Sequence, residues 1–125
     1  MGCSSIGYAA ANDDPHGGAA PYYSLDVNVT GLVVKASPGR VYGWHIASKN
    51  AAATYVKFYD KATAPTQADT PKFVIQVPIT GAVSFSLPPG IQFANGIAIR
   101  GTTSVADNGT GAPAANDIVA SIFYA

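Results

Sequence analysis

The chain has two histidines, His16 and His45, and a single cysteine, Cys3. Acid–base or nucleophilic catalysis needs a nucleophile, a base and an orienting group within hydrogen-bond reach of one another. His45 follows Trp44 in an alternating run and has no nominated partner, so it reads as a satisfied or exposed strand histidine. Asp13-Asp14-Pro15-His16 has the residue types of a metal cluster. It sits among glycines and alanines, however, and metal ligands must be held in place, so a solvated turn is the simpler reading. One cysteine and two histidines cannot build a Cys₂His₂ or Cys₄ zinc site, and a lone cysteine excludes an internal disulfide. The seven acids are all aspartates, scattered along the chain. None has the spacing of a calcium loop, and a glycosidase-type carboxylate pair is poorly supported. No catalytic, cofactor-binding or metal-binding residue is assigned, no cofactor is implied, and no enzymatic activity is expected.

Side chains suited to binding are easier to find. Tyr55, Lys57 and Tyr59 alternate with Thr54, Val56 and Phe58. The first set reads as an outward strand face, because lysine stems cover apolar surface while their ammonium groups stay wet, and tyrosine is favoured at interfaces. Together with Tyr22 and Tyr42 they form a candidate interface of Tyr22, Tyr42, Tyr55, Lys57 and Tyr59. The aromatics Tyr22, Tyr42, Trp44, Tyr55 and Tyr59 could instead stack on a sugar, which keeps a carbohydrate-binding jelly roll as an alternative.

The elements that must position these residues are strands. Valine and isoleucine total 20 residues against 3 leucines and no glutamate. β-Branched side chains are stiff at χ1 and suit a pleated surface, whereas Leu and Glu favour helices. Residues 1–21 are rich in Gly and Ala without a hydrophobic period, so they read as an extended N-terminal arm that docks on a partner. From Tyr22 the period becomes two. Tyr23, Leu25, Val27 and Val29 are expected on one face, and the strand resumes over 32–35 after Gly31. Further strands are expected over 41–48, with Tyr42, Trp44 and Ile46 on one face, and over 54–59. A run over 73–79 follows, then one over 83–87 that ends at Pro88-Pro89-Gly90. The last three start at Ile91 and Phe93, at Ile97 and at Asp117. This spacing predicts an all-β domain over 22–125, a β-sandwich or jelly roll of about eight antiparallel strands. The expected core is Trp44, Phe58, Phe73, Ile75, Phe85, Phe93, Ile99 and Ile122.

Charged residues make up 11% of the chain and the net charge is zero. Nucleic-acid binding needs clustered positive charge, so it is not expected. A neutral, charge-poor surface instead favours association. The start Met1-Gly2-Cys3-Ser4-Ser5-Ile6 places Ile where a myristoylation signal wants Ser or Thr. It also lacks the basic and apolar regions of a signal peptide. No stretch approaches the ~20 apolar residues of a membrane span. Synthesis in a cytoplasm, with no membrane partner, is expected.

One long stretch is distinctive. It runs Tyr55-Val56-Lys57-Phe58-Tyr59-Asp60-Lys61-Ala62, then Thr63-Ala64-Pro65-Thr66 and Asp69-Thr70-Pro71. It continues through Val77-Pro78, Phe85, Pro88-Pro89-Gly90-Ile91-Gln92-Phe93 and Gly96-Ile97-Ala98 to a closing Tyr124. Over residues 30–125 this resembles a group of small structural proteins encoded by tailed bacteriophages. The resemblance implies a virion component of capsid cement (decoration) type, a β-sandwich without catalytic residues. It would bind the major capsid protein as a homo-oligomer, with a trimer expected, after synthesis in the host cytoplasm. A neck, tail or baseplate component bound to tail proteins is the alternative within the same resemblance.

Overall fold

Period-two alternation and β-branched content produce eight strands in the computed structural model, which describes residues 18–125. They are β1 (Ala20–Ser24), β2 (Leu32–Lys35), β3 (Gly39–Ser48) and β4 (Thr54–Asp60), followed by β5 (Phe73–Val77), β6 (Gly81–Phe93), β7 (Ile97–Thr102) and β8 (Ile118–Tyr124). Two four-stranded antiparallel sheets result, in the orders β1-β8-β3-β6 and β2-β7-β4-β5. The first strand pairs with the last, the second with the seventh, the third with the sixth and the fourth with the fifth. The chain is thus one long hairpin rolled into two layers, the pairing of a jelly roll.

The layers meet over Val34, Val41, Ile46, Val56, Phe58, Val77, Phe93, Ile97, Ile99, Ile118 and Ile122, all buried. One side of this core is aromatic. Trp44 lies 5.6 Å from Phe58, 5.7 Å from Phe73 and 5.0 Å from Phe85, measured between ring centroids. Phe58 and Phe73 stack at 4.6 Å. Such offset contacts add to the area term of burying rings. Of the expected core, Trp44, Phe58, Phe93, Ile99 and Ile122 are buried, and Phe73 and Ile75 pack partly buried against it from edge strand β5. Phe85 is the exception. It touches Trp44 but stays 45% exposed, because β6 is the outermost strand of its sheet.

Three local expectations change. The first strand begins at Ala20, so Ala20 and Pro21 pair with Tyr124 and Phe123 and belong to the sheet. It also ends at Ser24, not Thr30, and its faces are exchanged. Tyr22 lies opposite the inward Ile122 and packs on the core, whereas Tyr23 and Leu25 are 63% and 52% exposed. Residues 25–31 instead carry the chain between layers. The Val27 amide donates to Ile118 O in one sheet, and the Gly101 amide donates to Asn28 O from the other. That exit from the ladder ends the alternation that Leu25 and Val29 would have continued. Positions 1–17 of the expected arm lie outside the described residues, and with them the Asp13-Asp14-Pro15-His16 cluster and Cys3.

The second change is in β3. Val41 pairs with Ile91, and Gly43 with Ser86, so Leu87–Gly90 stand opposite Tyr42 alone. This bulge turns Val41 inward in place of Tyr42 and leaves Trp44 and Ile46 buried below it. β-Bulges shift alternation in this way. As the third change, Pro88-Pro89-Gly90 does not end a strand but is absorbed into the long β6. Gly90 has φ +79°, a conformation that suits glycine alone, and the Tyr42 ring and Arg40 lie against it.

The distinctive 60–71 stretch gains a structural reason. The Asp60 carboxylate accepts the amides of Ala94 (3.1 Å), Asn95 (2.8 Å) and Gly96 (3.4 Å), clamping the β6–β7 turn to the end of β4. Burial raises its pKa, but these three amides and the nearby Lys72 outweigh that and hold it below the usual carboxylate range. Lys61 and Asp69 form a 2.8 Å ion pair across the following loop.

Candidate functional site

The five candidate interface residues do not share a surface. Tyr22 faces the core, where burial pushes its hydroxyl pKa up. Tyr42 stands on the outer side of the β1-β8-β3-β6 sheet. Tyr55, Lys57 and Tyr59 do point to the outer side of the other sheet, but only Tyr55 retains partial exposure there, and Lys57 and Tyr59 are buried. Their strand parity is the expected one, but their exposure is not. The loop over 103–117 lies on that face. Lys57 Nζ donates to Ala106 O, and Arg100 Nη2 donates to Gly109 O at 3.0 Å. Arg100 also donates through Nε to Val29 O and through Nη1 to the Tyr59 hydroxyl, both at 3.0 Å.

Lys57 and Arg100 are cross-strand neighbours on β4 and β7, and both are buried. Two cations side by side without a hydrogen-bonded carboxylate are costly to bury, so every donor must find an acceptor. The backbone carbonyls of Ala106, Gly109 and Val29 and the Tyr59 hydroxyl accept from them. Burial lowers the Lys57 pKa, Arg100 lowers it further, and Asp107 partly opposes the shift. The donors thereby fix the path of a loop whose own sequence has no periodic core residues. Over Lys57, Tyr59 and Arg100 this face is closed by the protein itself.

The outer side of the β1-β8-β3-β6 sheet has no such cover. The register aligns three outward rows across it: Pro21, Phe123, Gly43 and Ser86, then Tyr23, Ser121, His45 and Ser84, then Val119, Ala47 and Ala82. No Asp, Lys or Arg stands in these rows. A groove of about 530 Å³ runs over Gly43, lined by Tyr42, Trp44, Phe85 and Phe123 and by the polar His45, Ser84 and Ser86. A Cβ at position 43 would meet Phe85 O at 2.5 Å, so the close approach of β6 requires glycine and leaves bare backbone as the floor. His45 Nδ1 and Ser84 Oγ are hydrogen-bonded at 2.5 Å.

Nothing in the sequence nominates Phe123, Ser84 or Ser86 as site residues, and Tyr23 is expected there only as a strand position. A signal existed for Phe123: Ile118, Ala120, Ile122 and Tyr124 alternate inward, which places Phe123 outward by parity. The chemistry this side offers is stacking and neutral hydrogen bonding. Among the described residues, no group of three or more His, Cys, Asp or Glu side chains is placed to hold a metal ion. No protein-family model matches the chain, and a search of curated proteins returns no match in sequence.

Proposed function

We propose that this jelly roll is a structural binding protein of a tailed-bacteriophage particle, a cement protein that stiffens the capsid shell. The observation that carries the reading is the pair of exposed apolar side chains where the chain enters the fold. Tyr23 and Leu25 are 63% and 52% exposed on a chain with few charges. An exposed tyrosine and leucine two residues apart offer apolar surface that a partner can bury. Two further points support it. Eight-stranded jelly rolls are used by viral capsid and lectin domains, a likeness of architecture only. The motif order from Tyr55 to Tyr124 resembles small phage structural proteins. In this reading β1 and the residues before it dock on the major capsid protein. Many symmetric copies, arranged as homotrimers, give the shell its strength through modest individual contacts.

Mass spectrometry and cryo-EM of purified virions test the reading. High copy number on the head, with β1 at the shell contact, is the expected result. Absence from the particle overturns it, and low copy number at the neck, tail or baseplate moves the same module to an adaptor role.

A further inference from the structure

We propose that the groove over Gly43 is a binding site for a neutral sugar ring. Its lining includes the aromatic residues Tyr42, Trp44, Phe85 and Phe123, the last 40% exposed, and the side-chain-free position at Gly43. Its edges are Ser84, Ser86 and His45, with His45 Nδ1 tied to Ser84 Oγ. That tie orients the imidazole so that Nε2 points away from Ser84, where it can meet a ligand hydroxyl. The volume of about 530 Å³ falls among small-molecule clefts, which span roughly 300–1,000 Å³. No Asp, Lys or Arg lines it, so no fixed charge there favours a phosphate or a carboxylate over a neutral ligand. A wholly apolar ligand would desolvate the Ser86 hydroxyl without a partner. A pyranose satisfies both halves of the lining: its C–H face lies on a ring and its hydroxyls reach Ser86 and the His45–Ser84 pair. The binding residues lie on rigid strands, two of them central, so the geometry is preformed. This site does not depend on attachment to a particle, since every group in it comes from one chain.

The test is an NMR amide titration of the isolated full chain with neutral trisaccharides of glucose, mannose, galactose and N-acetylglucosamine, each added singly. At least one is expected to shift Gly43, Ser84 and Ser86 in the millimolar range. Phe123→Ala and Tyr42→Ala should each weaken that binding about tenfold, the loss of one stacking wall. His45→Ala should weaken it several-fold, and Leu25→Ser, outside the groove, should leave it unchanged. Circular dichroism checks that each variant keeps the fold, and Phe123 is exposed enough to be replaced without collapse. No shift from any of the four sugars overturns the proposal. So does unchanged affinity in a folded Phe123→Ala variant, or cryo-EM density of a partner protein filling the groove. Absence of the protein from virions refutes the capsid reading alone, because the titration is made on the isolated chain.

Discussion

The two outer faces of this sandwich are built from the same kind of strand and end up opposite in character. On the β2-β7-β4-β5 side, Lys57, Tyr59 and Arg100 are polar and fully covered. On the β1-β8-β3-β6 side, Tyr23 and Phe123 are aromatic and exposed. Ordinary partition would reverse the two. The covered side hides its cations because a long loop supplies carbonyls to them, and those contacts in turn order the loop. Apart from Arg40, tied to Pro89 O at the start of β3, the open side lacks charges that could recruit such a loop, and its central glycine and serines leave room above the sheet. Polarity alone therefore does not tell which face of a small sandwich meets water. The connection that folds over a face decides it.

Four substitutions sharpen or break this contrast. Arg100→Ala should be the most damaging, with a loss of roughly 3–5 kcal/mol in urea unfolding, because it opens a cavity and leaves three acceptors unpaired. A loss similar to that of an exposed residue would mean that the loop does not hold the covered face shut. Phe85→Ala lies between the two regimes. Although its ring packs tilted against Trp44, its half exposure limits the expected cost to about 1–2 kcal/mol, below the ~3–5 of a buried phenylalanine such as Phe93.

Lys57→Met should change stability by no more than about 1 kcal/mol at neutral pH, since it removes repulsion with Arg100 while freeing one carbonyl. Its sharper effect is on pH dependence. The folded Lys57 releases its proton below the ordinary 10.5, so between the lowered value and 10.5 the unfolded chain binds more protons than the folded one. Raising the pH through that window should stabilise the wild type, and Lys57→Met should remove that component of the rise. Denaturant midpoints across alkaline pH measure it. The smallest effect belongs to the open face. Tyr23→Ser should shift stability by less than about 0.5 kcal/mol, and a larger loss would show that this side chain is held by the fold and is not spare for a partner.

Much of the fold was legible because strand alternation is local. The buried positions at Ile46, Val56, Phe58, Ile99 and Ile122 follow from period two within each strand. What escaped depends on residues far away in sequence. Tyr42 faces outward because four residues of β6 bulge opposite it, and nothing near Tyr42 announces that. The exit of the chain after Ser24 is set by amide contacts to Ile118 and from Gly101, which exist only once both sheets have formed. Lys57 was placed on the right side of its strand, but its cover comes from residues about fifty positions later. The groove over Gly43 joins β3, β6 and β8, so no window of sequence contains it.

The rolled-hairpin pairing also dictates an order of assembly. Among the hydrogen-bonded pairs only β4 and β5 are consecutive along the chain, so their hairpin is the cheapest ladder to close. Once it forms, β3 and β6 are brought near, then β2 and β7, and the first and last strands are the final pair to meet. Each closure shortens the next. Refolding should therefore be slow for a chain of this size, with its rate set by these distant pairings. The β1–β8 ladder, last to zip, should be the first to exchange its amide protons, so the strand that presents Tyr23 can lift from the sheet while the rest of the roll stays closed.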